Sequence, residues 1–319
     1  MSKKSTYLLG ILLTIVVGSL LYWYLCCSVC CEKQSCDVNK TSKEASQDNV
    51  AKPKVKKPTF IPFSINDANG DFKFSIDEGF NFNESNFVIN NTVSENLNKG
   101  ILNLKEYLDA NGNKRFNITG YYTSNETNNS AFSNLGLARA NSVKNYMTTK
   151  GISSKVINTF GGLKDDIVSD KNKDFLGPLS FDIFTRTDEA TLKDKEFKEI
   201  CETIKENPLK LYFDSGKAHI NLSKEQREKF TSISSCIDKL GMIVQVIGHT
   251  DNTGNSENNM NLGQKRADFV KDYLVQNGIL KENIETSSKG QNEPIANNAT
   301  KEGRVKNRRI VVTITKSKK

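Results

Sequence analysis

The chain has 319 residues, room for about two domains, and Lys+Arg 45 against Asp+Glu 37 gives a formal charge of +8. The excess sits at the ends: residues 1–57 hold nine Lys against four acids, and Lys316, Lys318 and Lys319 supply the rest. The body between is neutral, which argues against nucleic acid as a partner, because a binder of that class needs a basic face within its fold. Only His219 and His249 are present, so a His-rich metal centre is excluded, while 36% hydrophobic content permits a packed core.

In chain order, Lys3 and Lys4 lie in a short tail (1–6), and residues 7–25 follow without a charged residue. About 20 apolar residues make a membrane-crossing helix. Basic residues before it favour a cytoplasmic N-terminus, and Tyr22, Trp23 and Tyr24 form an interfacial belt on the far side. A cleaved signal peptide is the competing reading. Its apolar core is typically about 7–15 residues and ends at a small-residue site, whereas bulky Trp23-Tyr24-Leu25 precedes Cys26 here. An uncleaved anchor with the rest exported fits better.

Residues 26–70 read as a Cys-rich stub and linker. Cys26, Cys27, Cys30, Cys31 and Cys36 cluster just beyond the anchor. Such spacing suits a soft metal, but membrane-exit thiols are the simpler reading, since no second ligand cluster follows. Lys52-Pro53-Lys54-Val55-Lys56-Lys57-Pro58 closes an extended polar tether. The other two cysteines, Cys201 and Cys236, could bridge in an oxidising compartment; sequence alone does not decide whether they meet.

The remainder is an internal repeat. Leu135-Gly136-Leu137-Ala138-Arg139-Ala140 recurs as Leu262-Gly263-Gln264-Lys265-Arg266-Ala267, and Gly151-Ile152 as Gly278-Ile279, all at one offset of 127. Phe82–Ile89 parallels Phe213–Ile220. The expected organisation is therefore one copy at 71–187, a charged linker at 188–197 and a second copy at 198–315.

Within the second copy, Leu209–Phe213 reads as a strand. Ser223-Lys224-Glu225-Gln226 is a capping box ahead of Phe230, Ile233, Ile237 and Leu240, one face of a helix, which Gly241 ends. Met242–Gly248 reads as a buried strand, Thr250–Glu257 as a polar loop, and Leu262, Ala267, Val270, Tyr273 and Leu274 as a second helix stopped by Gly278. Strands follow at Ile284–Ser287 and Arg309–Ile314. Strands alternating with helices predict an α/β unit with βαβ connections.

The chemistry concentrates in Gly248-His249-Thr250-Asp251-Asn252-Thr253-Gly254, Asn259, Arg266-Ala267 and Asn307-Arg308-Arg309. Asp251 stands in a loop at the C-terminal end of a strand, where such sheets bind ligands, and Arg266 about one turn into the next helix. A carboxylate accepts hydrogen bonds from an ammonium, and a guanidinium grips a carboxylate bidentately, so together they suit the amino-acid end of a ligand. From spacing alone, the two side chains pairing with each other or facing solvent remains open.

Residues 205–315 resemble the outer-membrane protein A (OmpA)-like C-terminal domain, on Phe213-Asp214-Ser215-Gly216, Gly248-His249-Thr250-Asp251, Asn259, Leu262, Arg266-Ala267 and Asn307-Arg308-Arg309. Gly263 departs from the Ser usual there. The resemblance, together with the repeat and the uncharged stretch 7–25, implies an α/β (α+β) fold of tandem βαβαβ-type sandwich domains, each a mixed sheet with helices on one face, after one transmembrane helix. It implies non-catalytic binding of peptidoglycan through the diaminopimelate of the stem peptide, without cofactor or metal. Carried over, Asp251 accepts the ammonium, Arg266 grips the carboxylate, Thr250 and Asn259 shape the loop, and Asn307 and Arg308 line the rim. His249 is expected to order the loop, and Arg309 either to brace the last strand or to join the rim.

The first copy departs at the site. Gly120-Tyr121-Tyr122-Thr123 stands for Gly248-His249-Thr250-Asp251, so Thr123 replaces the carboxylate, although Arg139 is kept. That copy is expected to keep the fold but not the ligand, serving as spacer, dimer face or protein-binding module; a homodimer or an envelope protein partner stays open. A flagellar-stator-like role needs a proton-carrying carboxylate in the span, which 7–25 lacks. No Ser/His/Asp order or phosphate loop supports an enzyme. The absence of β-barrel segments favours the inner membrane over the outer, with the copies in the periplasm.

Overall fold

The structure is a computed structural model and describes residues 57–70, 72–186, 189–212 and 220–316. The expected anchor at 7–25, the five-cysteine cluster and the Phe213–Gly216 motif lie outside the described residues. Among the described residues no helix is long and apolar enough to cross a membrane.

The first half builds a mixed three-stranded sheet. β4 (Lys114–Tyr122) is central, parallel to β5 (Ile157–Leu163) and antiparallel to β7 (Leu179–Thr185). Two helices, α1 (Glu95–Ala110) and α2 (Leu135–Thr149), belong to this half. The Ser94 side chain caps α1 by accepting from Leu97 N, and Asn134 caps α2 by accepting from Leu137 N, each satisfying an amide that the helix start leaves free. β3 (Phe82–Asn83) and β6 (Asp174–Phe175) make a small second ladder.

One departure begins in the stretch read as linker and runs into the first copy. β1 (Phe63–Asn66) and β2 (Lys73–Ile76) form an antiparallel hairpin with Phe63 and Ile65 fully buried. Asp67 then fastens it, at 2.7 Å from Lys114 Nζ and accepting from the Tyr107 hydroxyl at 2.7 Å. Burial alone would raise the Asp67 pKa, but Lys114, Tyr107 and the Asn69 amide outweigh it, so its pKa lies below the usual value. A four-residue strand carries only two core side chains, too little alternation to stand out beside a lysine-rich tether.

The second half repeats the plan with one more strand. Its sheet runs β10 (Ile284–Gly290), β9 (Met242–His249), β11 (Arg309–Lys316), β8 (Leu209–Tyr212). β10 is parallel to β9, and β11 is antiparallel to both β9 and β8. The capping box at Ser223 and Gln226 forms as expected at the start of α4 (Lys224–Leu240), and Gly241 ends it at φ 63°, a conformation only glycine adopts without penalty. The stretch expected to be a charged linker is instead, from Glu189, helix α3 (Glu189–Glu206). Cys201 and Cys236 join α3 to α4 through a disulfide with Cα atoms 6.0 Å apart, within bridging range.

The two halves are welded. Ala131, Phe132, Leu137 and Ala138 of the first half belong to the hydrophobic cluster of the second. Phe132 meets Phe230 edge-on at 5.1 Å, a geometry aromatic quadrupoles favour. Ala131 N donates to Asn277 Oδ1 at 2.6 Å, and Lys239 Nζ to Asn158 Oδ1 at 2.8 Å. Buried Lys144 pairs with Asp238 across the junction. A charge kept from water needs such a partner, so the junction is specified by chemistry as well as by shape.

Candidate functional site

Four segments of the second half converge beyond the C-terminal end of β9. The strand delivers His249 and then Thr250 and Asp251. Helix α5 (Ser256–Gln276), capped by Asn255 accepting from Asn258 N, delivers Asn259 and Arg266. The end of β10 delivers Gly290, and the turn after it Gln291. The junction of α6 (Lys301–Asn307) with β11 delivers Asn307, Arg308 and Arg309. β9 and α5 approach closely because neither bears a side chain at the crossing: a Cβ on Gly248 would lie 2.0 Å from the Gly263 carbonyl oxygen. Gly263 is therefore a packing residue as well as a departure from the usual Ser.

The α5 start differs from expectation. The polar loop is shorter, the helix begins at Ser256, and Arg266 lies in its third turn. Side chains on a helix tilt toward its N-terminus, so a long arginine there still reaches back toward the loop.

Asp251 is 8% exposed. Its carboxylate lies 2.7 Å from Arg308 Nη1 and accepts from Thr253 N at 3.0 Å. Burial pushes its pKa up, but the Arg308 and Thr253 hydrogen bonds prevail and hold it below the ordinary carboxylate value. Asp251 is thus ionised and partnered by Arg308 rather than by Arg266. Arg266 has a buried Nη1 without a hydrogen-bond partner among the described residues. Burial first, then the neighbouring Arg308 charge, lowers its pKa, against the attraction of Asp251. Arg308 Nε is likewise buried, with no hydrogen-bond partner among the described residues. Two guanidinium groups beside one carboxylate leave the site with surplus positive charge and unsatisfied donors, a state that an incoming carboxylate relieves.

The other expected residues hold the frame. Thr250 Oγ1 donates to the Asp251 carbonyl at 2.8 Å. Asn259 Nδ2 donates to Thr253 O at 3.1 Å and to Gln291 Oε1 at 2.7 Å, tying the Asp251 loop to the turn after β10. Asn307 was expected on the rim, yet it is fully buried. Its Oδ1 accepts from Ile295 N and Ala296 N, and its Nδ2 donates to Ala296 O and Asn298 Oδ1, so it staples the loop before α6. Arg309 is buried and donates to Glu293 O at 3.1 Å, bracing the last strand. His249 is buried, and desolvation followed by the Arg309 charge lowers its pKa to about 4, so near neutrality it is an uncharged part of the floor. Gln291 and Gly290 were not singled out in the sequence. Gln291 is 32 residues from its partner Asn259, and no local pattern marks it.

In the first half the equivalent strand–helix crossing recurs, with a Cβ on Gly120 lying 2.1 Å from the Gly136 carbonyl oxygen. Arg139, the counterpart of Arg266, is 0% exposed. It donates through Nε to Asn86 O, through Nη1 to Tyr121 O at 2.9 Å and Glu126 Oε2 at 3.2 Å, and through Nη2 to Asn83 O and Glu126 Oε1. Its guanidinium also sits near the rings of Phe82 and Phe175, 5.5 and 5.2 Å from their centroids, distances at which a cation is attracted to an aromatic face.

A family model described as the OmpA family matches residues 80–174 and 212–308. Outer membrane protein A of Bordetella avium is 37% identical over 109 residues, 34% of this chain and 55% of that protein. Peptidoglycan-binding protein ArfA of Mycobacterium tuberculosis (strain ATCC 25618 / H37Rv) is 46% identical over 71 residues, 22% of either chain. The chain thus spans about half or less of the length of these relatives. The crystal structure of the peptidoglycan-associated lipoprotein from Burkholderia pseudomallei aligns at 25% identity with a TM-score of 0.30, over 33% of this chain and 89% of that one. The two matched segments cover 192 of the 319 residues, and the chain belongs to the OmpA family.

Proposed function

We propose that this protein is a non-catalytic peptidoglycan binder of the cell envelope, and that its second OmpA-like copy, 198–315, holds the diaminopimelate of the stem peptide. The carrying observation is the state of the site: Asp251 is ionised beside Arg308, while Arg266 keeps a buried, unsatisfied guanidinium N–H. The ammonium of a zwitterion would share Asp251, its carboxylate would satisfy Arg266, and Arg308 would balance the remaining charge. No bond need break, since fixed opposite charges bind rather than transfer protons. The similarity to a protein named peptidoglycan-binding supports the ligand class. With residues 7–25 as anchor, the chain would tether a membrane, the inner one by preference, to the wall from the periplasm.

The test is co-sedimentation of the full chain, in detergent, with purified diaminopimelate-type sacculi, beside Asp251→Ala and Arg266→Ala. Wild type pellets and both variants stay in the supernatant if the reading is right. Wild type remaining soluble would overturn it and favour the second reading, an accessory or scaffold subunit of an envelope machine. One observation supports that alternative: the arginine of the first copy is sealed and already paired with Glu126, which leaves that copy without the ligand site of the second.

A further inference from the structure

The two copies carry the same arginine on the same helix, yet one leaves a guanidinium N–H open and the other leaves none. In the second copy the strand-to-helix loop supplies Asp251, which turns to Arg308 and leaves Arg266 Nη1 unpartnered. In the first copy the corresponding loop, between β4 and α2, supplies Glu126. This carboxylate spans both terminal nitrogens of Arg139, at 3.2 and 2.5 Å, in the two-pronged geometry of a bound carboxylate ligand. The Glu126 side chain is 1% exposed, and its oxygens also accept from Ser85 N at 3.0 Å and Thr123 N at 2.9 Å. Backbone amides converging on a carboxylate beside a guanidinium are what a site built for an external carboxylate would offer.

We infer that the first copy retains a carboxylate-binding pocket around Arg139 and that Glu126 occupies it as an intramolecular ligand. The closed state is reinforced from the second copy. The loop that carries Glu126 continues through Ala131 and Phe132, which are buried in the second copy's hydrophobic cluster, and Ala131 N is tied to Asn277. A free carboxylate in solution cannot compete, because the effective concentration of a tethered, clamped one is far higher. The chain therefore presents one ligand-receptive copy and one self-filled copy. The inference does not depend on what the second copy binds.

The experiment replaces Glu126 by Ala in the full chain in detergent and follows thermal unfolding by circular dichroism, with sodium acetate or sodium formate titrated against sodium chloride at equal ionic strength. Losing one partner of a buried pair should lower Tm by roughly 10 °C in chloride. Acetate or formate should then raise it saturably by several degrees, as ligand binding to the native state does, with no such anion dependence in wild type or in the double variant Glu126→Ala/Arg139→Met. Glu126→Gln, isosteric and uncharged, should show a smaller loss and no acetate effect, because its amide still fills the space. If Glu126→Ala does not fold in chloride, the folded yield on refolding in acetate against chloride is the readout, and acetate-specific recovery supports the pocket. A Tm or yield indifferent to the anion overturns it and leaves Glu126–Arg139 as an ordinary structural ion pair.

Discussion

Replacing Arg266 by Met should make the protein more stable and its site useless. Arg266 bears a buried Nη1 that no group among the described residues satisfies, and an unsatisfied buried donor costs about 1–3 kcal/mol. The charge of Arg308 adds repulsion, which the attraction of Asp251 partly offsets. With the guanidinium only partly buried, the lower end of that range applies, so a side chain of similar volume and no charge should gain about 1 kcal/mol. For a folded unit of this size that is a rise in Tm of about 2–4 °C. The same substitution removes the group that, in the proposed function, grips the ligand carboxylate, and truncating one partner of a desolvated charge pair costs about 2–5 kcal/mol of affinity, roughly 30-fold or more. The assay is thermal unfolding of the full chain in detergent together with sacculus co-sedimentation. Asp251→Ala is the control of opposite sign in stability: it strips Arg308 of its partner and should lose about 1–2 kcal/mol, while also abolishing binding. If Arg266→Met lowers Tm, the arginine is a brace and its open N–H is not a store of binding energy. If it leaves binding intact, the ligand does not use it.

Three further outcomes follow from the structure. The Cys201–Cys236 bond closes a loop with a sequence separation of 35 residues, so Cys201→Ser/Cys236→Ser should cost about 3–4 kcal/mol, and reductant should shift wild-type Tm while leaving the variant unmoved. His249 has its pKa lowered from 6.5 to about 4 in the fold. The unfolded chain then binds the proton first, so stability should fall as pH drops from about 6.5 to about 4 and level off below; His249→Gln should flatten that part of a Tm-against-pH curve. Lys144→Met should cost about 3 kcal/mol by stranding the largely buried Asp238, and adding Asp238→Leu should restore much of it, measured as a double-mutant cycle in urea.

Much of the architecture is legible along the chain because its causes are local. The Ser223 box, the Gly241 cap, the apolar face from Phe230 to Leu240 and the β-branched run from Met242 each depend on residues a few positions apart. The repeat is visible for the same reason, as one short helical segment written twice. Helix α6 and the early start of α5 are harder to see. Asn255 and Thr300 cap helices whose first turns are polar, and polar first turns resemble loops.

The site divides along the same line. Sequence spacing put Asp251 after a strand and Arg266 on the following helix, and comparison of the two copies at the family motif marked Thr123 as the missing carboxylate of the first copy. Only the tertiary structure decided who partners whom: Arg308 takes Asp251, Asn307 staples a loop instead of lining the rim, Gln291 reaches Asn259 from the turn after β10, and Glu126 fills the place beside Arg139. Hydrogen-bond partners of a buried polar or charged group are chosen by proximity in space, through segments that can be 32 or 57 residues apart. Local chemistry therefore determined which groups this protein carries to each pocket, and the packing of strands, helices and loops determined which pocket was left open.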